Sequence, residues 1–192
     1  MKHTIAVFGA VLLTTASAFA FSAVGPTDSE AAASGGYVKT CGGGSLYLNA
    51  PERRTLWLHN EARASGGLRP LCVDPTLTRA ARAHAREMMN RDRMSHSSSN
   101  GETYSARLRR FGYTRQAGEN ISWGSGSHGS PESRFEYWMN SRPHKANILD
   151  RGWGEVGIGT ATGRFKGYGN AVAYTVDFGT RRRGAPPSRP VS

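Results

Sequence analysis

Along the 192-residue chain, apolar positions recur first at helical spacing and then, toward the end, at every second residue. Asn49 with Glu52 at the third position forms a capping pair, after which Leu56, His59 and Arg63 fall on one side until Gly66-Gly67 stops the helix. Asp74-Pro75 opens a second helix. Leu77, Ala80, Ala81, His84, Ala85, Met88 and Met89 give it a continuous inward face, with Arg79, Arg82, Arg86 and Arg91 turned mostly to water. A shorter helix is expected over 104–111, ended by Gly112, and Ser130-Pro131 starts another that carries Phe135, Trp138 and Met139 inward before Pro143 breaks it. Residues 120–123 read as a strand. Later, 155–162 alternates Val156 and Ile158 with glycines, and 171–178 alternates Val172, Tyr174, Val176 and Phe178 with smaller residues. The link 163–169 joins this last pair into a hairpin. Helices first and antiparallel strands last, without regular alternation, predict an α+β domain with helices packed on a small sheet.

The ends differ from this middle. Lys2 and His3 precede an apolar stretch over 5–13 and a small-residue run ending at Ala20, the order of a secretory signal peptide over 1–20. The apolar part is too short for a stable membrane anchor, and no later segment approaches bilayer-spanning length. Residues 21–48 are rich in Ser, Gly, Ala and Thr and read as a flexible leader containing Cys41; the basic, proline-rich 180–192 reads as a disordered tail. Export changes the meaning of the two cysteines, because thiols in an oxidising compartment pair. A Cys41–Cys72 disulfide is expected, stabilising by roughly 3 to 4 kcal/mol through loop closure; the alternative is two free thiols. The net charge of +11 attracts anionic partners in general. Four of the 25 basic residues are lysines and the rest arginines, a bias that genome composition also produces.

Chemistry narrows to a few side chains. His3 lies in the signal and His128 in a Gly/Ser loop, while His84 sits amid an apolar helix face and reads as a hydrogen-bonded core histidine. His59 is compatible with packing beneath the first helix. His96 follows a helix end and His144 follows a proline break, positions from which side chains converge on a cleft. Glu119 stands beside an apolar strand and needs solvent or a partner. Two imidazoles and a carboxylate suit zinc or a similar divalent ion, and equally suit general acid and base work. Their wide spacing is not that of a helical His-Glu-x-x-His motif, and there is no Gly-x-Ser-x-Gly elbow, phosphate loop or dinucleotide fingerprint.

The ordered strings His59-Asn60-Glu61-Ala62-Arg63, Leu68-Arg69-Pro70-Leu71, Ser95-His96, Gly118-Glu119-Asn120-Ile121, Trp138-Met139-Asn140-Ser141, His144-Lys145-Ala146-Asn147-Ile148-Leu149, Glu155-Val156-Gly157-Ile158-Gly159 and Asp177-Phe178-Gly179 resemble the CAP superfamily of cysteine-rich secretory proteins, antigen 5 and pathogenesis-related proteins, in its bacterial secreted branch. The resemblance covers roughly Pro51 to Gly179 and places the domain at 49–179. It implies a three-layer α-β-α sandwich around a central antiparallel sheet, and a cavity of two histidines and two glutamates. His96, Glu119 and His144 match three of those positions, whereas Ser141 stands where many members carry the second glutamate. On this resemblance the cleft binds a divalent metal such as Zn2+ and/or a small or lipidic ligand, with Ser141, Trp123 and Tyr174 at the ligand and Phe135 and Trp138 in the wall or the core. A zinc-assisted hydrolase acting through His96, Glu119 and His144 is the alternative, and envelope-polyanion binding a second. A secreted or envelope-held monomer, without a transmembrane anchor or a specific nucleic-acid partner, is expected.

Overall fold

A computed structural model describes residues 32–181. The segment 1–20 and the tail beyond Arg181 lie outside the described residues. The first elements are a short hairpin, β1 (Gly36–Lys39) paired antiparallel with β2 (Ser45–Leu48). This corrects the reading of 21–48 as a flexible leader throughout. Val38, Leu46 and Leu48 alternate inward with exposed Tyr37, Lys39, Ser45 and Tyr47, a two-residue period too short to stand out among the surrounding glycines. The hairpin is tied down by the Cys41–Cys72 disulfide and by the hydrogen bond from the Cys41 amide to the Val73 carbonyl at 2.8 Å.

Helix α1 (Ala50–Ser65) begins with the expected reciprocal cap between Asn49 and Glu52. After β3 (Cys72–Val73), Asp74 accepts from the amides of Thr76 and Leu77 and starts α2 (Pro75–Asn90). Helix α3 (Tyr104–Arg110) leads to β4 (Ala117–Ser125), and a 3-10 turn at Gly126–Gly129 precedes α4 (Pro131–Met139), which Ser130 caps. Pro143 does more than break a helix. Proline lacks an amide hydrogen, so it ends one helix yet suits the first turn of the next, and here it sits at the start of α5 (Arg142–Ile148). Strands β5 (Trp153–Phe165) and β6 (Tyr168–Thr180) form a long hairpin whose turn residues Lys166 and Gly167 both have positive φ, at 51° and 85°.

The main sheet has the order β3-β5-β6-β4, antiparallel except for the two-residue parallel pairing of β3 with β5. Alternation along β5 and β6 sends Val156, Ile158, Tyr174, Val176 and Phe178 to one face, where they pack with Trp138, Ile148 and Leu71 and with partly buried Leu56 and Phe135. On the opposite face Gly157 and Gly159 meet α2. A Cβ on Gly157 would collide with the backbone at Leu77, and one on Gly159 with the backbone at Ala81, so the glycines let the helix axis approach the sheet. Helices therefore cover both faces, with α1 and α4 on one side and α2 and α3 on the other. Strand β4 forms an edge of the sheet, and there the two helical layers meet.

Candidate functional site

At that edge the loop after α2 supplies His96, β4 supplies Glu119, and the α4–α5 junction supplies Ser141 and His144. His96 Nδ1 lies 2.7 Å from Glu119 Oε1, and the imidazole side chain is 52% exposed over a carboxylate that is wholly buried. Nδ1–H donates to the carboxylate, which fixes the ring's direction. His144 Nδ1 shares a 2.8 Å hydrogen bond with the Ser141 hydroxyl. Partial burial, and after it the charge of His96, holds the His144 imidazole below its usual range, favouring its neutral form. Helix α5 is set on β4 by amides: Asn120 Nδ2 donates to the His144 carbonyl at 3.0 Å, and Asn147 Nδ2 donates to the Asn120 side chain at 2.9 Å and the Glu119 carbonyl at 3.3 Å.

A further residue completes the floor. Arg107, 1% exposed on α3, pairs with Glu119 through Nη2 and donates through Nη1 to the His96 carbonyl and to Ser98 Oγ, both at 3.2 Å. One guanidinium thus holds the carboxylate and the loop that carries His96. Asp177 faces Glu119 across the β4–β6 register and is fully buried. Burial, and then the charge of Glu119, pushes the Asp177 carboxyl well above the carboxylate range, which favours its protonated form. Neither residue stood out in the sequence. Arg107 is one of several arginines in an amphipathic stretch, and Asp177 acquires its neighbour only through strand register.

This arrangement tests the metal expectation. A divalent ion needs three or more open donors, but Glu119 lends one oxygen to His96 and the other to Arg107, whose positive charge sits against the same carboxylate. Among the described residues no group of three His, Cys, Asp or Glu side chains is arranged to hold a metal. As these side chains are placed, His96, Glu119 and His144 do not fit a divalent ion as a set.

The other expected site residues separate. Ser141 is at the cleft. Trp123 shares the Glu119 face of β4 but packs farther along it on Phe165 and Tyr168, with ring centroids 4.8 and 5.9 Å away. Tyr174 is fully buried on the opposite face, its hydroxyl donating to the Gly129 carbonyl at 2.8 Å, so it belongs to the core and not to the cleft. Phe135 and Trp138 surround His59 at 5.3 and 5.6 Å. His59 donates Nδ1–H to the Thr55 carbonyl at 2.8 Å, and burial lowers its pKa to about 4. His84 is likewise a core residue, 1% exposed and bonded to the Ser95 carbonyl at 2.7 Å. Beside the disulfide, Asp74 and Glu155 line a second pocket, where Asp74 caps α2 and Glu155 accepts from Tyr113 and Arg115.

The family model described as the cysteine-rich secretory protein family, CAP, matches residues 56–178. The chain belongs to the CAP family. A relative in Bacillus subtilis (strain 168), the uncharacterized protein YkwD, is 32% identical over 134 residues, which are 69% of this chain and 51% of that protein. The CAP chain thus spans about half the length of that relative. Among solved structures, an outer surface protein from Borrelia burgdorferi is similar at 20% identity and a TM-score of 0.57, over 66% of this chain and 90% of that one. An extracellular protein containing a SCP domain from Bacillus anthracis str. Ames is similar at 23% identity and a TM-score of 0.57, over 72% of this chain and 47% of that one. These likenesses show the CAP fold, in which helices sandwich the sheet.

Proposed function

We propose that this CAP domain is an extracellular binding module whose cleft captures a small or lipidic ligand by a carboxylate or phosphate group. The export-like order of the first residues, the disulfide and the extracellular description of the Bacillus anthracis neighbour support the location. One observation carries the ligand class. The carboxylate of Glu119 in the cleft is already paired with the Arg107 guanidinium. The rim offers the His144–Ser141 pair, whose shared hydrogen bond leaves one N–H or O–H free to donate to an oxyanion. That free donor, with the Glu119 carboxylate already matched by Arg107, favours an anion over a cation. Hydrolysis would need a free carboxylate as base, and Glu119 is committed to His96 and Arg107.

The test is an NMR titration of the imidazole resonances with inorganic phosphate, acetate and a long-chain fatty acid. Saturable shifts at His96 and His144, weakened at least tenfold in His144→Gln, are the expected result. Shifts confined to exposed His128, or none at all, would sink the reading. The net charge of +11 also favours attachment to an anionic envelope polymer. That attachment collapses with added salt, whereas a specific ligand in the half-buried cleft responds less.

A further inference from the structure

We infer that Arg107 is the resident cation of the cleft and the residue that makes it select an oxyanion over a divalent metal ion. The inference rests on the anion-binding reading for the ligand and on geometry for the exclusion of the metal. Arg107 is 1% exposed and contacts three groups at once: the Glu119 carboxylate, the carbonyl of His96 and the hydroxyl of Ser98. It therefore occupies the position from which a bound ion would have to draw Glu119. Its guanidinium offers donors and no acceptor, so it has nothing to lend to a metal ion. A dication entering between His96 and His144 meets the Arg107 guanidinium behind the Glu119 carboxylate.

Ser141 removes the other incentive. At the helix start, where a carboxylate would add negative charge beside His144, a hydroxyl satisfies the ring nitrogen without charge. The two substitutes act in one direction, one cancelling a carboxylate and the other replacing one.

The experiment is calorimetric titration of the untagged full-length chain with ZnCl2 alone and separately with inorganic phosphate. It uses wild type, Arg107→Lys, Arg107→Gln and the pair Arg107→Gln/Glu119→Gln, with circular dichroism to check folding. Arg107→Gln keeps a donor toward Glu119 and removes the charge. Wild type and Arg107→Lys are expected to show no saturable one-site zinc binding. Arg107→Gln is expected to gain one zinc site, at least tenfold tighter than any residual wild-type binding, and to lose it again in the pair and in Arg107→Gln/His144→Gln. A folded Arg107→Gln that gains no zinc overturns the inference. Should Arg107→Gln fail to fold, wild type decides alone: one-site zinc binding that depends on Glu119 overturns it, and zinc-indifferent His96 and His144 resonances uphold it. If phosphate leaves the wild-type imidazoles unmoved while Arg107→Gln gains zinc, the anion reading fails and the role of Arg107 against the metal stands.

Discussion

On the face of the sheet that meets α1 and α4, the strands present Val156, Ile158, Tyr174, Val176 and Phe178 to the rings of Trp138 and His59, whereas on the face that meets α2 and α3 they present Gly157, Gly159, Ala173, Thr175 and Asp177. The first face is filled by large side chains, and burial among them favours the neutral form of His59. The second is made of small residues that let a helix touch the strand backbone, so little side-chain volume remains to exclude polar groups at the β4 edge. Arg107, Glu119 and Asp177 are buried there. A face packed by volume fails when volume is removed. A face packed by closeness fails when atoms or charges are added.

The largest test of this contrast is Trp138→Ala, which empties the centre of the apolar face and is expected to cost about 4 kcal/mol, read from the midpoint of urea unfolding. On the other face the damaging change is an addition. Gly157→Ala forces a methyl group into the Leu77 backbone and is expected to cost about 3 kcal/mol. If that variant unfolds at the wild-type midpoint, α2 is not held by close approach.

Acid separates the faces next. The His59 pKa falls from 6.5 to about 4 in the folded chain, so the unfolded chain takes up its proton first. Stability from this group is complete above about pH 6.5 and is lost as pH falls toward about 4, by about 3 kcal/mol in all. Comparing wild type with His59→Leu across that window isolates the contribution; parallel stability curves would refute it. The smallest expected effect has the opposite sign. The Asp177 carboxyl is raised, so burying it as a neutral acid costs stability as pH climbs above the ordinary carboxylate range. Asp177→Asn is expected to be more stable than wild type at about pH 7, with the gap closing near about pH 4. A variant equally destabilised at both pH values would mean that Asp177 is ionised and paired.

Much of the first face was legible in advance. Trp138 and Phe178 lie in runs whose period is unambiguous, and His84 was readable as a core residue because apolar neighbours surround it at helical spacing. Tyr174 was misplaced in the cleft for a specific reason: alternation assigns residues to two faces of a strand but does not say which face borders the cleft. Trp123 shows the complementary limit, since it shares the Glu119 face yet lies farther along the strand beside Phe165. His96, Glu119 and Ser141 were recognisable through the resemblance. The spacing of His96, Glu119 and His144 is longer than any local motif, and only the meeting of the two helical layers at β4 brings them together.

By itself the sequence determined the helix starts, through Asn49, Asp74 and Ser130, together with the β5–β6 hairpin, the family and the disulfide partners, since each depends on local spacing, recognisable strings or a choice between two cysteines. Tertiary structure alone decided what the cleft carries. Whether a carboxylate is an open ligand or a spent one depends on distances of a few ångströms to groups from other elements. Arg107, distant from His144 along the chain but packed against Glu119, settles the charge of that site.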